Sequence, residues 1–189
     1  MPSAFEGELI RQCAPTLAGL KTANLFMYTF TSYSEHLQIL HQVNKIFSAK
    51  GLAAEVLRYD ILKHRVLLFV YRKSGVENIL QDSAVQAFLK QRGFSSQTDL
   101  LDILDELAAR LNSGAEFPHE IGLLLGYPLA DVKAYIQSPH SPGLCSGCWK
   151  AYSNPQQAKK YFAKCRCCVN AYLESYLRGR SLEQLALAV

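Results

Sequence analysis

The chain has 189 residues, a formal net charge of +4, and 49% hydrophobic against 19% charged residues. That length suits one domain, or one domain with a small module, and it suffices to bury a core without disulfide staples. The composition excludes a disordered chain, no apolar run approaches the ~20 residues of a membrane span, and the mild charge permits contact with nucleic acid without requiring it.

The opening residues Met-Pro-Ser-Ala-Phe-Glu-Gly-Glu lack the basic segment and apolar core of a secretory signal. The expected location is the cytoplasm, with no membrane association. There the six cysteines point to metal or thiol chemistry rather than structural disulfides.

In chain order, residues 4–12 read as a short helix ended by Cys13-Ala14-Pro15, because proline disfavours helix in the residue before it. Residues 23–31 are aromatic and β-branched and read as a buried strand. Ser34 reads as the N-cap of a helix to about residue 49, with Leu37, Leu40, Val43, Ile46 and Phe47 on one face and Gly51 beyond its end. Residues 53–59 and 65–71 are two strands separated by a polar turn, hence an antiparallel hairpin. The strand–helix–strand order predicts a right-handed crossover with the first strand parallel to the second. Helices are expected at residues 76–91, 98–112, 118–125, 128–137 and 155–177, with a proline- and glycine-rich boundary at residues 138–143. The predicted fold is α+β, a small three-stranded mixed sheet packed by helices and followed by a helical C-terminal part with a cysteine-rich knuckle. The expected division is a core domain at residues 1–138 and a cysteine-rich tail at residues 139–189 packed on it.

The tail holds Cys145-Ser-Gly-Cys148 and, sixteen residues later, Cys165-Arg-Cys167-Cys168. Taking Cys165 and Cys168 as the second pair gives the spacing of a four-cysteine zinc site. A thiolate pair two residues apart chelates one ion, and two pairs close a tetrahedron. Lys150, Lys159, Lys160, Lys164 and Arg166 would offset its excess negative charge. With four protein ligands the ion would be structural. An iron–sulfur cluster takes the same thiolates, and a redox disulfide or plain buried cysteines are the alternatives. Cys167 has no assigned role.

Two further constellations stand out. Cys13, just before a proline and near Lys21 and Asn24, is a candidate nucleophile. His119 and Glu120 sit between Phe117-Pro118 and Gly126-Tyr127, in the first turn of a predicted helix, where free N–H groups favour an anion and a neutral imidazole. That suits a general base or an anion grip. The same segment imitates a helix-turn-helix, but its second helix offers Pro128, Leu129, Ala130 and Ala134 outward, which cannot read base edges. Trp149, Tyr152 and Tyr161 among lysines could stack on single-stranded nucleic acid, though such clusters more often cover a small core.

Three segments, CAPTLAGLKTANLF (residues 13–26), FPHEIGLLLGYPLADV (117–132) and WKAYSNPQQAKKYF (149–162), together with GRSLEQL (179–185), resemble the bacterial family called domain of unknown function 3793. The resemblance covers almost the whole chain. It implies a cytoplasmic protein typical of anaerobic bacteria, and no activity. It implies fewer tail cysteines than this chain has, with Cys168 the steadiest match.

The two densest shared motifs coincide with the two constellations. Cys13, Lys21 and Asn24 are therefore expected to face Phe117, His119, Glu120 and Tyr127 across a cleft at the sheet edge. The expected function is binding of an unidentified small molecule, with Lys21, Asn24, Phe117 and Tyr127 as ligand contacts. If the protein is an enzyme, Cys13 is the nucleophile, His119 the base, and Glu120 orients the histidine or binds substrate. The alternatives are a metal- or redox-handling protein, with Cys145, Cys148, Cys165 and Cys168 as the working residues, and a nucleic-acid-binding protein.

Overall fold

Residues 66–71, Val-Leu-Leu-Phe-Val-Tyr, form an uninterrupted apolar run, the pattern of a strand buried on both faces. The computed structural model, which describes residues 4–114 and 116–188, makes them β3 (Arg65–Arg72). This is the middle strand of a sheet ordered β1-β3-β2, with β1 at Ala23–Thr29 and β2 at Leu52–Asp60. Ala23 pairs with Tyr71 and Leu52 with Arg72, both antiparallel.

The fold is α+β as predicted, but the sheet is antiparallel at every pairing rather than mixed. β1 and β2 run in the same direction without touching. Width explains this. A helix about 10 Å across spans two strand spacings of about 4.8 Å, so the crossover through α2 (Tyr33–Ser48) leaves a slot one strand wide. The return strand of the hairpin fills the slot.

Alternation along β3 sends Leu67, Phe69 and Tyr71 to one apolar cluster and Val66, Leu68 and Val70 to the other. The first cluster is covered by α3 (Lys73–Leu80), α4 (Ser83–Gln91), α5 (Leu100–Asn112), α6 (Ile121–Leu124) and α7 (Leu129–Gln137). The second is covered by α1 (Ala4–Leu17), α2, the end of α8 (Pro155–Leu177) and α9 (Leu182–Leu185). Tyr176, Leu182 and Leu185 thus share a core with Phe5, Leu9 and Val70. Between α7 and α8 a two-stranded ribbon, β4 (Cys145–Ser146) and β5 (Lys150–Ala151), forms the knuckle. Among the described residues no helix is long and apolar enough to cross a membrane.

Several boundaries differ from the sequence reading, each for a local reason. α1 continues through Pro15 to Leu17 instead of ending before Cys13. The carbonyl that Pro15 leaves without a donor belongs to exposed Arg11, where water can reach it, while Ala14 to Leu17 are buried. The predicted helix over residues 76–91 breaks in two because the Asp82 carboxylate accepts from Ala84 N at 2.8 Å, an N-cap that competes with continuation. The helix expected at residues 118–125 is the single turn α6. α8 has the predicted bounds.

Candidate functional site

The site begins where α1 ends. Arg72, at the end of β3, donates from Nε to Thr16 O (2.8 Å) and from Nη2 to Leu17 O (2.7 Å), so the last carbonyls of α1 are capped by the sheet. The chain then turns tightly, with Leu20 and Lys21 N–H groups donating to Pro15 O at 2.8 and 3.0 Å. That turn drives Lys21 inward until it is only 7% exposed. Its ammonium lies 5.2 Å from the Tyr127 ring centroid. No carboxylate among the described residues forms an ion pair with it. Burial lowers its pKa, and the nearby thiols of Cys148, Cys13 and Cys165 act in the opposite sense.

Tyr127 reaches this position from the α6–α7 hairpin. Gly126 has φ +80, and a Cβ there would lie 2.9 Å from Thr22 Oγ1. Only glycine satisfies both the left-handed backbone and the close approach of the hairpin to the α1–β1 connection. The knuckle is held from below by Asp131 on α7, buried and accepting from Trp149 Nε1 (2.8 Å), Tyr152 N (3.0 Å) and Ser153 N (2.8 Å). Burial alone would raise the Asp131 carboxyl, but these donors outweigh it and hold the pKa below the ordinary value. Trp149 then stacks on Tyr127 at 5.2 Å and meets Phe162 of α8 edge-on at 4.6 Å.

Two cavities result, sharing Leu25 and Tyr127 as a common wall. The first, about 270 Å³, is mainly aromatic and aliphatic, with Phe117, His119, Tyr127, Tyr135 and Trp149 around it and Asp131 and Lys150 as its charged members. The second, about 390 Å³, lies between α1, β1, the knuckle and α8. It is lined by Lys21, Arg166, Asn24, Cys148 and Cys165 among others, and among the described residues no carboxylate lines it. The Thr16 hydroxyl donates to Asn24 Oδ1 at 2.9 Å, which fixes that amide in the wall.

The predicted cleft residues therefore divide. Lys21 and Asn24 line the second cavity, Phe117 and His119 the first, and Tyr127 both. Cys13 and Glu120 line neither. Cys13 is fully buried in the apolar cluster under α1, and desolvation pushes its thiol far above the ordinary range, so it packs as a small apolar residue. Glu120 is buried and ion-paired to Arg92 Nε at 2.5 Å. It belongs to the packing of α6 against α4 rather than to a cavity. His119 sits against Phe117 (5.2 Å) and Tyr135 (4.8 Å).

The four tail cysteines also divide. Cys148 and Cys165 line the same cavity, and burial together with the neighbouring Cys148 raises the Cys165 thiol. Cys145 Sγ lies 3.8 Å from Pro155 O, and Cys168 is half-buried beside Tyr172. Among the described residues no three His, Cys, Asp or Glu side chains converge to hold one ion. As placed, the four thiols do not make the tetrahedral set that their spacing suggested. Spacing fixes which thiols share a turn, not which way each turn faces. Cys167 is exposed.

Asp131 and Tyr135 were not singled out by sequence, and Arg166 only as a cation offsetting the thiolates. Nothing local marks them: an aspartate in a first helical turn is the commonest of polar residues there, and its partners stand eighteen or more positions away.

Fold and site together define an α+β protein with a paired cleft, one half aromatic and one half cationic with two thiols. The chain belongs to the family described as protein of unknown function (DUF3793), whose model matches residues 9–186. No curated protein and no solved structure matches it.

Proposed function

We propose that this protein binds a small aromatic anion, with the ring in the first cavity and the anionic group beyond Tyr127 at Lys21. The observation that carries this reading is Lys21, a buried ammonium without a carboxylate partner among the described residues, opening on a cavity that has a second cation and no acid. A buried charge is costly unless it is compensated, and a carboxylate or phosphate from outside supplies the compensation. The adjoining aromatic walls favour a planar ring, stacked or edge-on. Asn24, Phe117 and His119 complete the contacts. Free thiols at all six cysteines suit a reducing compartment such as the cytoplasm. Zinc or an iron–sulfur cluster has no part in this reading, since Cys145 and Cys168 face Pro155 and Tyr172.

The protein carries its own probe, because Trp149 is the chain's one tryptophan and it lines the first cavity. Titration with phenyl phosphate and with benzoate is expected to change Trp149 fluorescence saturably. Lys21→Met is expected to weaken the binding about tenfold or more, equivalent to about 1.4 kcal/mol. No saturable response to either compound, or an unchanged affinity in K21M, would overturn the proposal.

A further inference from the structure

The second cavity contains a feature that anion binding does not use. Gly147 is pressed against Phe162: a Cβ at Gly147 would stand 2.2 Å from a ring carbon. The knuckle therefore rests flat on α8 at that ring. Cys148 follows Gly147 directly, and Cys165 stands one helical turn beyond Phe162 on the same face of α8. The seating of Gly147 on Phe162 thus brings to one cavity two thiols with sixteen residues between them in sequence. Both line the cavity, Cys148 half-buried and Cys165 only 3% exposed. Lys21, buried and unpaired among the described residues, faces both thiols from across the cavity.

We infer that Cys148 and Cys165 form a thiol–disulfide exchange centre, with Cys148 as the attacking sulfur, Cys165 as the resolving one, and a small anionic disulfide as the substrate. It shares the cavity and Lys21 with the binding reading but is carried by the two thiols. The Cys148 thiolate attacks one sulfur of the substrate RS–SR, forming a Cys148–SR mixed disulfide and releasing RS⁻. Cys165 then attacks Cys148 Sγ, its proton passes to the departing second RS⁻, and the Cys148–Cys165 bond closes. The two cysteines lose two electrons and the substrate is reduced to two thiols. The roles follow from exposure: of the two thiols in the cavity wall, Cys148 is half-buried and Cys165 buried, so Cys148 is the more open to attack a substrate there, and burial raises the Cys165 thiol to about 12. Lys21 and Arg166, both lining the cavity, favour an anionic substrate.

The test uses the full chain, reduced, with dithio-bis-nitrobenzoate as the anionic aryl disulfide. Peptide mass mapping is expected to find Cys148 joined to Cys165, lighter by two hydrogens, with no label on either, while exposed Cys167 keeps its label. In Cys165→Ser the label is expected to stay on Cys148, and Cys148→Ser is expected to slow the fast phase of thiol release about tenfold. Circular dichroism checks that both variants fold, and Cys165→Ala replaces Cys165→Ser if it does not. Stable label on Cys148 in the unaltered chain, closure onto Cys145, Cys167 or Cys168, or one tightly held zinc per chain after anaerobic purification would each overturn the inference. Lost phenyl phosphate binding with intact closure would overturn only the binding reading, and the reverse result only this one.

Discussion

At the residue scale the most exposed liability is a histidine that no site uses. His36 is 1% exposed, and neither ring nitrogen has a hydrogen-bond partner. It lies between Phe30 and Tyr28, with ring centroids at 5.3 and 6.2 Å, and Tyr59 closes the side. Burial lowers its pKa below 6.5. The unfolded chain therefore takes up a proton at a higher pH than the folded one. Stability contributed by neutral His36 is complete above the unfolded value of 6.5 and declines as pH falls through it toward the lower folded value. His36→Phe removes both unpaired nitrogens and the titration, and it is expected to stabilise the protein by about 1–3 kcal/mol at acidic pH. Urea titrations at several pH values check this; a variant with the same pH slope as the parent would sink it. Nothing in the local pattern marks this residue, since a histidine in a helix's first turn usually meets water.

At the element scale, the knuckle and α8 form one unit. The ribbon is too short to be stable alone, and it is held by Asp131 from α7 and by the Gly147–Phe162 contact. Gly147→Ala forces a methyl onto the face of the Phe162 ring and is expected to cost about 1–3 kcal/mol. Because Trp149 also leans on Phe162, its emission should shift to longer wavelength. Phe162→Leu, which makes room, should recover part of the loss. Equal, additive losses in the double variant would show that the two residues do not share one contact. Of this unit, the sequence made the helix legible: Asn154 accepts from Gln157 N, Pro155 opens the helix, and the predicted bounds hold. The facing of the ribbon was not legible. Its partners on α7 and α8 come from positions whose separation in sequence carries no geometric constraint.

At the scale of the whole molecule, Arg72 joins three distant parts of the chain. Besides the end of α1 it donates to Leu187 O at 3.0 Å, so β3, the first helix and the C-terminal segment meet on one guanidinium. Arg72→Met keeps the apolar stem and leaves buried carbonyls unpaired. It is expected to destabilise the fold by about 2–4 kcal/mol, with the C-terminal segment becoming the first site of limited proteolysis. A lowered urea midpoint without early C-terminal cleavage would show that the Leu187 N–H bond to Leu17 O and the packing of α9 suffice to hold the segment.

What the sequence determined by itself was local. The apolar run of β3, the glycine and proline boundaries and the helical periodicity marked the elements, though Ser32 rather than Ser34 caps α2, and the long motifs identified the family. The strand order, the burial of Cys13, the ion pair of Glu120 and the meeting of Cys148 with Cys165 beside Lys21 were decided only in three dimensions. The reason is reach. Residue types a few positions apart share a turn or a face whatever surrounds them, whereas these outcomes depend on which loop closures give the best-packed interior around the sheet.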